Sequence, residues 1–278
     1  LTNERCNFWH FRFDADIDMK MLALSGAIAA DPSIEKVYLI NQDYSFGHAV
    51  SKAAKNMLAE KRPDVEIVGD DLHPLGKVKD FAPYIAKMRA TGADSVITAN
   101  WGADLALLVK AAKDSGVDVD FYTYYAGLAG GPTAIGEAGI DRVKQVGQWH
   151  VNVGGQQSDA VVDAYRSRYP QHNDDLFFIT LKYGMELLTQ SIDKAGSTNA
   201  LDVARELEQG RYDAVTGEVW IRPDNHQLMQ PLYVSTFKRT GDDNVKYEVE
   251  QTGTGPRTDF VVAAEDTTLP TTCNMVRP

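Results

Sequence analysis

Along the first 150 positions, segments with apolar residues at helical spacing alternate with short continuous apolar runs. The segment 16–30 places four of them on one helical face, at Ile17, Met21, Leu24 and Ile28. The next apolar run, at 36–41, is continuous, which is typical of a strand buried on both faces of a parallel sheet. Continued along the chain, the alternation predicts strands at 36–41, 65–69, 94–99, 121–125 and 143–149, and helices at 16–30, 47–61, 81–90, 103–115 and 132–138. This order predicts an α/β fold with a doubly wound parallel sheet.

The pattern changes after the glycine pair at 154–155, which we interpret as a hinge or linker. From 156 to 210 the spacing predicts three helices, and two strands follow at 218–221 and 232–237. The remainder, as far as Cys273, is predicted to be a polar tail. Three helices with so few strands do not complete a second α/β lobe, so either a segment is missing or another part of the fold supplies its sheet.

Charge and hydropathy argue against two classes of partner. The 278 residues include 39 acidic and 28 basic side chains, a formal net charge of −11. A nucleic-acid-binding protein instead presents a basic face to phosphate, so we expect no nucleic-acid partner. The sequence has no apolar run of about 18 residues, the length that a membrane-spanning helix needs.

Signatures of catalysis and of cofactor binding are weak. The glycine-rich stretch 127–136 lies between a predicted strand and a helix, but it lacks the G-x-G-x-x-G spacing of dinucleotide sites. The sequence contains neither G-x-S-x-G nor H-E-x-x-H. The histidines show no metal-ligand spacing, and we expect most of them on the surface or in loops: His10, His48, His73, His150, His172 and His226. The acidic pairs at 70–71 and 174–175 are interpreted as solvated loop residues or helix caps. The sequence therefore predicts a protein that is not an enzyme and that holds no cofactor and no metal.

The two cysteines, Cys6 and Cys273, lie near opposite ends of the chain. They are either unrelated core thiols or one disulfide that ties the ends together, which requires an oxidising compartment. We favour the disulfide, because closing so long a loop stabilises the fold by roughly 4–5 kcal/mol in the chain-entropy model.

Three predicted strand ends carry aromatic side chains beside small or amide residues. Tyr44 and Phe46 follow the first strand, Asn100 and Trp101 follow the third, and Tyr125, Ala126 and Gly127 lie at the end of the fourth. Ligands of open parallel sheets lie beyond the carboxyl ends of the strands, so these residues predict a pocket for an apolar body with a polar end. Each aromatic residue alone is equally well explained as packing beneath a loop, but the same bias at three ends favours a site.

The order of these segments resembles a known family. The N-Q-D-Y-S-F-G segment at 41–47, followed by a helix, is similar to the D-x-x-Y/F-G turn of the branched-chain amino-acid-binding proteins. The K-D-F at 79–81 with G-A-D at 92–94, the Y-G at 183–184 and the G-E-V at 217–219 also fit. Cys6 and Cys273 fit a disulfide that one branch of the family uses. The resemblance extends over essentially the whole chain and is more specific in segment order than in any one motif.

The resemblance implies the type I periplasmic binding protein fold, in which two doubly wound parallel-sheet lobes are joined by a hinge. Residues 14–149 would form a complete second lobe. Residues 1–13 and 150–216 would belong to the first lobe, and residues 217–278 would supply hinge-crossing strands and the C-terminal tail. The first lobe would be incomplete in this chain, which would lack the family's N-terminal segment.

The implied function is that of a periplasmic solute-binding component of an ABC importer, which closes on a small molecule and delivers it to the membrane permease. The residues expected to contact the solute are Tyr44, Phe46, Asn100, Trp101, Tyr125, Ala126 and Gly127. Amino-acid binders of this family carry an acidic residue after the fourth strand, where this chain has Ala126 and Gly127. Because an unpaired buried ammonium is costly, we expect an aromatic or aliphatic carboxylate in preference to a small amino acid. The alternative is a ligand-sensing regulatory domain of the same fold.

Overall fold

Residues 1–171 and 175–278, which the computed structural model describes, form ten strands and eight α-helices. The strands are β1 (Lys36–Gln42), β2 (Glu66–His73), β3 (Ser95–Thr98), β4 (Asp120–Thr123), β5 (Val143–Gly147), β6 (Arg211–Ala214), β7 (Gly217–Ile221), β8 (Leu228–Met229), β9 (Leu232–Arg239) and β10 (Thr254–Val262). The helices are α1 (Ile17–Ala30), α2 (Ser45–Lys61), α3 (Ala82–Thr91), α4 (Gly102–Asp114), α5 (Gly131–Ile135), α6 (Gln156–Arg168), α7 (Ile179–Ala195) and α8 (Ala200–Glu208). Short 3₁₀ turns follow at Gly136–Gly139 and Glu265–Thr267. Within the described residues, no helix is both long and apolar enough to cross a membrane.

The larger of two sheets has the strand order β10-β9-β5-β4-β3-β1-β2. Its strands β1 to β5 pair in parallel, and each of the connections from β1 to β5 contains a helix. β9 pairs antiparallel with both β5 and β10. The predicted α/β class with a mainly parallel sheet is therefore confirmed. This strand order places the carboxyl ends of β1, β3 and β4 side by side at one end of the sheet.

Helices cover both faces of the larger sheet. On one face α1 and α2 bury Leu24, Ile28 and Val50 against Val37 and Leu39. On the other face the apolar residues of α3 and α4 pack against the remaining strand residues, among them Ile85, Met88, Leu105, Leu108, Ile40 and Val96. Successive residues of β1 thus enter opposite cores, which is why its sequence is apolar without alternation.

A third core joins α6, α7 and α8 to the smaller, antiparallel sheet of β6, β7 and β8. Its buried residues include Trp149, Val162, Tyr183, Leu187, Val219 and Leu228. The chain passes between this core and the larger sheet near residue 14, near residue 148 and between Leu228 and Leu232. The three crossings are hydrogen-bonded to one another. Gln227 Nε2 donates to the Asp14 carbonyl (2.9 Å) and Gln230 Nε2 to the Phe13 carbonyl (2.7 Å), and the Gln148 amide donates to the Asp14 carboxylate.

The predicted polar tail was wrong for residues 254–262, which form β10. This strand pairs with β9 from Thr254–Arg239 to Val262–Leu232, and it is the edge of the larger sheet. An edge strand tolerates Pro256 and the charged Arg257 and Asp259, residues that disguise it in the sequence. The division into lobes at 14–149 stays a prediction, to which the structure adds that the larger sheet takes β9 and β10 from residues 232–262.

One expectation about polar residues was also wrong. Asp70 and Asp71 lie within β2 and not in a loop, since they pair with Leu39 and Ile40 of β1. The Asp71 carboxylate accepts a 2.5 Å hydrogen bond from the Tyr38 hydroxyl and is paired with Lys87. The expectation for the histidines is confirmed for most of those at described positions, since His10, His150 and His226 lie in loops and His48 is exposed. Three are nevertheless buried with a hydrogen-bond partner: His73 with Asn100, His150 with Thr258, and His226 with Glu208. The predictions for His172 and Asp174 lie outside the described residues.

The predicted disulfide between Cys6 and Cys273 is confirmed, with an Sγ–Sγ distance of 2.04 Å and a Cα–Cα distance of 5.6 Å. It spans 267 positions and lies in a small apolar cluster with Phe8, Ala204 and Met275. The first and last segments of the chain are thereby fixed to each other and to α8.

Candidate functional site

Four aromatic side chains from three neighbouring strand ends form a continuous surface. Tyr44 is the residue before α2, Phe46 lies in the first turn of α2, Trp101 precedes α4, and Tyr125 follows β4. The indole Nε1 of Trp101 donates a 3.0 Å hydrogen bond to the Tyr44 hydroxyl. Ring centroids are 6.0 Å apart for Tyr44 and Phe46, and 5.7 Å apart for Phe46 and Tyr125. We call these four residues the aromatic wall.

The wall has an accessible side and a buried side. Trp101 is 39 % exposed, and Tyr44, Phe46 and Tyr125 are half-buried. Behind Phe46, the buried ring of Tyr124 packs edge-on at 5.4 Å, and its hydroxyl donates to the Ile17 carbonyl. Burial raises the pKa of the Tyr124 phenol well above its ordinary value. Behind Phe46 the wall therefore rests on a neutral, packed ring and presents aromatic surface outward.

The loop that carries Tyr44 and Phe46 depends on a glycine. A Cβ at Gly47 would lie 2.0 Å from the carbonyl oxygen of Gln42, the last residue of β1. Backbone cannot yield to such a contact as a flexible side chain can. Gly47 thus lets the chain turn directly from β1 into α2 and keeps both aromatic residues at the strand end.

Asn100 does not face the accessible side of the wall. Its side chain is fully buried, and its Oδ1 lies 3.0 Å from Nε2 of His73. Beside it, the buried Gln42 donates to Asp104 at 2.7 Å. The Asn100 side chain is thus a buried partner of His73 and not part of the accessible surface of the wall.

Ala126 and Gly127 do not contribute to the aromatic wall. The Ala126 side chain is fully buried in the core with Ile135. The Gly127 amide donates to Gln145 Oε1, and a Cβ at Gly127 would lie 3.3 Å from the Phe177 ring. Gly127 and Phe177 help to line a separate small cavity of about 50 Å³. Of the seven predicted contact residues, the structure thus brings four together and puts Asn100, Ala126 and Gly127 elsewhere.

A charged pair behind Tyr125 was missed by the sequence analysis. Lys20 of α1 is 3 % exposed at its side chain, and its Nζ contacts both carboxylate oxygens of Asp14, at 3.0 and 3.1 Å. The same Nζ lies 3.3 Å from the Tyr125 hydroxyl and 4.5 Å from the ring centroid. Asp14 also accepts a hydrogen bond from the Gln148 amide. The one available signal was Lys20 itself, a lysine on the apolar face of α1 between Ile17 and Leu24.

The described residues contain no group of three or more His, Cys, Asp or Glu side chains that could hold a metal. What the aromatic wall offers a solute is stacking surface and the hydroxyl proton of Tyr44. The Trp101 indole N–H is already donated to Tyr44, and the Tyr125 hydroxyl is bound by Lys20 and Asp14. Such a surface suits a small molecule with an apolar or aromatic body.

Comparison with known proteins decides the family. The periplasmic binding protein family model matches residues 1–242. The chain belongs to the periplasmic binding protein family.

The relatives of this periplasmic binding protein are longer than the chain itself. It is 29 % identical over 285 residues to Leu/Ile/Val-binding protein homolog 4 of Brucella melitensis biotype 1, an alignment that covers the whole chain and 67 % of the relative. In structure it is similar to a leucine-, isoleucine-, valine-, threonine- and alanine-binding protein from Brucella ovis in its closed conformation. That likeness has a TM-score of 0.89 at 26 % identity and covers 100 % of this chain and 71 % of the other.

The same fold also occurs with an aromatic acid bound. A solute-binding protein of an ABC transporter from Rhodopseudomonas palustris HaA2, in complex with p-hydroxybenzoic acid, has a TM-score of 0.76. It is 18 % identical and covers 91 % of this chain and 67 % of the other, so the likeness is one of fold. Membership in the periplasmic binding protein family means that the chain is a solute-binding protein for a small molecule.

Proposed function

We propose that this periplasmic binding protein is the solute-binding component of an ABC importer, acts in the periplasm, and holds an aromatic or aliphatic carboxylate against the aromatic wall. The observation that carries the proposal is the wall itself, because four aromatic side chains meet at the carboxyl ends of β1, β3 and β4: Tyr44, Phe46, Trp101 and Tyr125. A planar ring stacked on such a surface gains burial and favourable ring contacts together.

The polar groups near the wall favour a solute without an ammonium group. The strand end after β4 supplies Tyr125, Ala126 and Gly127, none of which carries a charge. The carboxylate behind Tyr125, that of Asp14, is already bound by Lys20 and Gln148. An ammonium placed at the wall would therefore lose water without gaining a free carboxylate, which is costly.

A branched-chain amino acid is the second candidate, and the relatives favour it. The Brucella melitensis relative is named for leucine, isoleucine and valine, and the Brucella ovis structure for these and two further amino acids. The Rhodopseudomonas palustris protein shows, in turn, that this fold accommodates a hydroxybenzoate. A ligand-sensing regulatory domain of the same fold remains the alternative to transport.

Calorimetric titration of the purified protein separates the two solute classes. Benzoate, 4-hydroxybenzoate and isovalerate would be compared with leucine and valine under the same conditions. We expect saturable binding of at least one carboxylate and weaker or absent binding of the amino acids. Tight leucine or valine binding with no response to the three acids would refute the proposed solute class.

Two variants connect binding to the aromatic wall. Trp101→Ala removes the most exposed ring of the wall, and we expect it to weaken carboxylate binding by about tenfold or more, because a buried aromatic contact contributes roughly 1–3 kcal/mol. Tyr169→Ala is the matched control, since Tyr169 is comparably exposed but follows α6. Uptake of the radiolabelled acid by cells with and without the gene then tests import against sensing.

A further inference from the structure

We propose that the Asp14–Lys20 ion pair sets the charge of the solute that the aromatic wall accepts. The inference rests on the proposed function and names a specificity determinant for it. In this arrangement Lys20 cancels the Asp14 carboxylate, and the wall stays open to an anionic solute.

The geometry places the pair directly behind the wall. The Lys20 ammonium lies over the Tyr125 ring, 4.5 Å from its centroid, and Phe46 contacts the same ring at 5.7 Å. The Tyr125 hydroxyl lies 3.4 Å from Asp14 Oδ2. The Tyr125 ring therefore lies between the Lys20 ammonium and the aromatic surface, whereas the Asp14 carboxylate lies at the hydroxyl end of that ring.

The two members of the pair differ in their exposure. The Lys20 side chain is 3 % exposed, whereas that of Asp14 is 34 % exposed and also borders an apolar groove with Phe13 and Phe178. The carboxylate is the more accessible charge, and the ammonium is held away from water. Without Lys20, a nearly buried compensating charge would disappear and a partly exposed negative charge would remain beside the wall.

The electrostatic consequence has a definite sign. Charges that interact across protein are screened far less than charges in water, so an uncompensated carboxylate behind Tyr125 would repel an anion at the wall. We expect Lys20→Met to weaken the binding of benzoate by about tenfold. The affinity for benzyl alcohol, a neutral molecule of similar shape, should change by no more than about twofold. Benzylamine, the corresponding cation, should bind more tightly to the variant than to the parent protein.

Lys20→Met is the suitable single variant because methionine keeps the apolar stem. Asp14 also keeps the Tyr125 hydroxyl and the Gln148 amide as partners. Asp14→Asn alone would leave the Lys20 ammonium buried without its carboxylate, a change that often unfolds a protein. The double variant Asp14→Asn/Lys20→Met removes both charges. It should bring the ratio of the affinities for benzoate and benzyl alcohol back to that of the parent protein.

The test is a calorimetric titration of the three probes against the parent protein, Lys20→Met, the double variant and the control Lys110→Met. Lys110 is exposed on α4, so its substitution changes the net charge equally but away from the wall. Thermal unfolding of each variant shows whether it is folded at the titration temperature. A benzoate preference that falls in Lys20→Met and returns in the double variant supports the inference.

Three results would overturn it, and they are distinguishable. A parent protein that binds benzoate and keeps the same preference in Lys20→Met refutes the role of the ion pair and leaves the proposed function standing. A parent protein that binds none of the carboxylates refutes the proposed function, and the inference with it. Equal loss in Lys20→Met and Lys110→Met would also refute the inference, since it would show an effect of net charge alone.

Discussion

The indole Nε1 of Trp101 lies 3.0 Å from the hydroxyl oxygen of Tyr44, to which it donates a hydrogen bond. The two residues follow different strands and are 57 positions apart in sequence. The bond joins the loop after β3 to the loop after β1, so two separate strand ends present one surface. The orientation of Trp101 is thereby set by a group that is itself part of the aromatic wall.

Tyr44→Phe should reorient Trp101 with little effect on the fold. The bond is partly exposed and contributes about 1 kcal/mol, so we expect carboxylate affinity to fall roughly three- to tenfold and the unfolding free energy to change by less than about 1 kcal/mol. Calorimetry and urea denaturation measure the two quantities. Tyr169→Phe removes a comparably exposed hydroxyl outside the wall and should change neither. Unaltered affinity in Tyr44→Phe would show that the hydrogen bond does not position the indole for binding.

The strands of the larger sheet differ in how well the sequence predicts them. β1 is a continuous apolar run because its residues enter two cores, and it was predicted to within one residue. β10 was missed because an edge strand needs only one hydrogen-bonded neighbour, and it therefore admits Gly255, Pro256 and two charged residues. Residues 254–262 form a strand because they pair with β9, and no local sequence pattern reveals that pairing.

The same distinction applies to the candidate site. The aromatic wall was foreseeable because parallel strands end at one edge, and aromatic residues at three such ends must lie near one another. The directions of Ala126 and Gly127 were not foreseeable, since the chain turns after β4 and sends successive side chains to different sides. The Asp14–Lys20 pair depends on the first crossing between the cores, which brings Asp14 to Tyr125 across 111 positions of sequence.

Gly47→Ala should damage both the fold and the site. The added Cβ would lie 2.0 Å from the Gln42 carbonyl oxygen, so the end of β1 and the start of α2 would have to separate. We expect a loss of about 2 kcal/mol or more in unfolding free energy, together with weaker solute binding. Ser45→Ala, two residues earlier at an exposed position, should change stability by less than about 0.5 kcal/mol. Urea denaturation compares the two variants, and equal stability would contradict the steric argument.

Reduction of the Cys6–Cys273 disulfide should destabilise the protein without abolishing its fold. The bond closes a loop across 267 positions, and releasing it allows the unfolded chain more conformations, at a cost of about 2–5 kcal/mol. Differential scanning calorimetry with and without reductant measures the change in Tm. The double variant Cys6→Ser/Cys273→Ser should unfold at the lower temperature in both buffers. If reductant lowers its Tm as much as that of the parent protein, the effect does not come from this bond.

His150 should make the protein sensitive to mild acid. Burial lowers the pKa of its imidazole from 6.5 to about 3. The contacts agree with a neutral ring, because Nδ1 accepts a hydrogen bond from the Asn152 amide and Nε2 lies 2.8 Å from the Thr258 hydroxyl. In the unfolded chain the imidazole therefore binds a proton near pH 6.5, whereas in the folded protein it does so only near pH 3. Stability from this group is complete above pH 7 and is lost as the pH falls through that interval, by about 2 kcal/mol at pH 5.

His150→Gln removes the titrating group and keeps an amide donor and an acceptor for the same partners. We expect the unfolding free energy of the variant to change by about 2 kcal/mol less than that of the parent protein between pH 7.5 and pH 5. His10, whose pKa is also lowered by burial, is present in both proteins, so the difference between them reports His150. The exposed His48 provides the matched control, and His48→Gln should keep the acid sensitivity of the parent protein. Urea denaturation at both pH values decides the matter: parallel losses in the parent protein and His150→Gln would mean that the buried imidazole accepts its proton in the folded state as readily as in the unfolded chain.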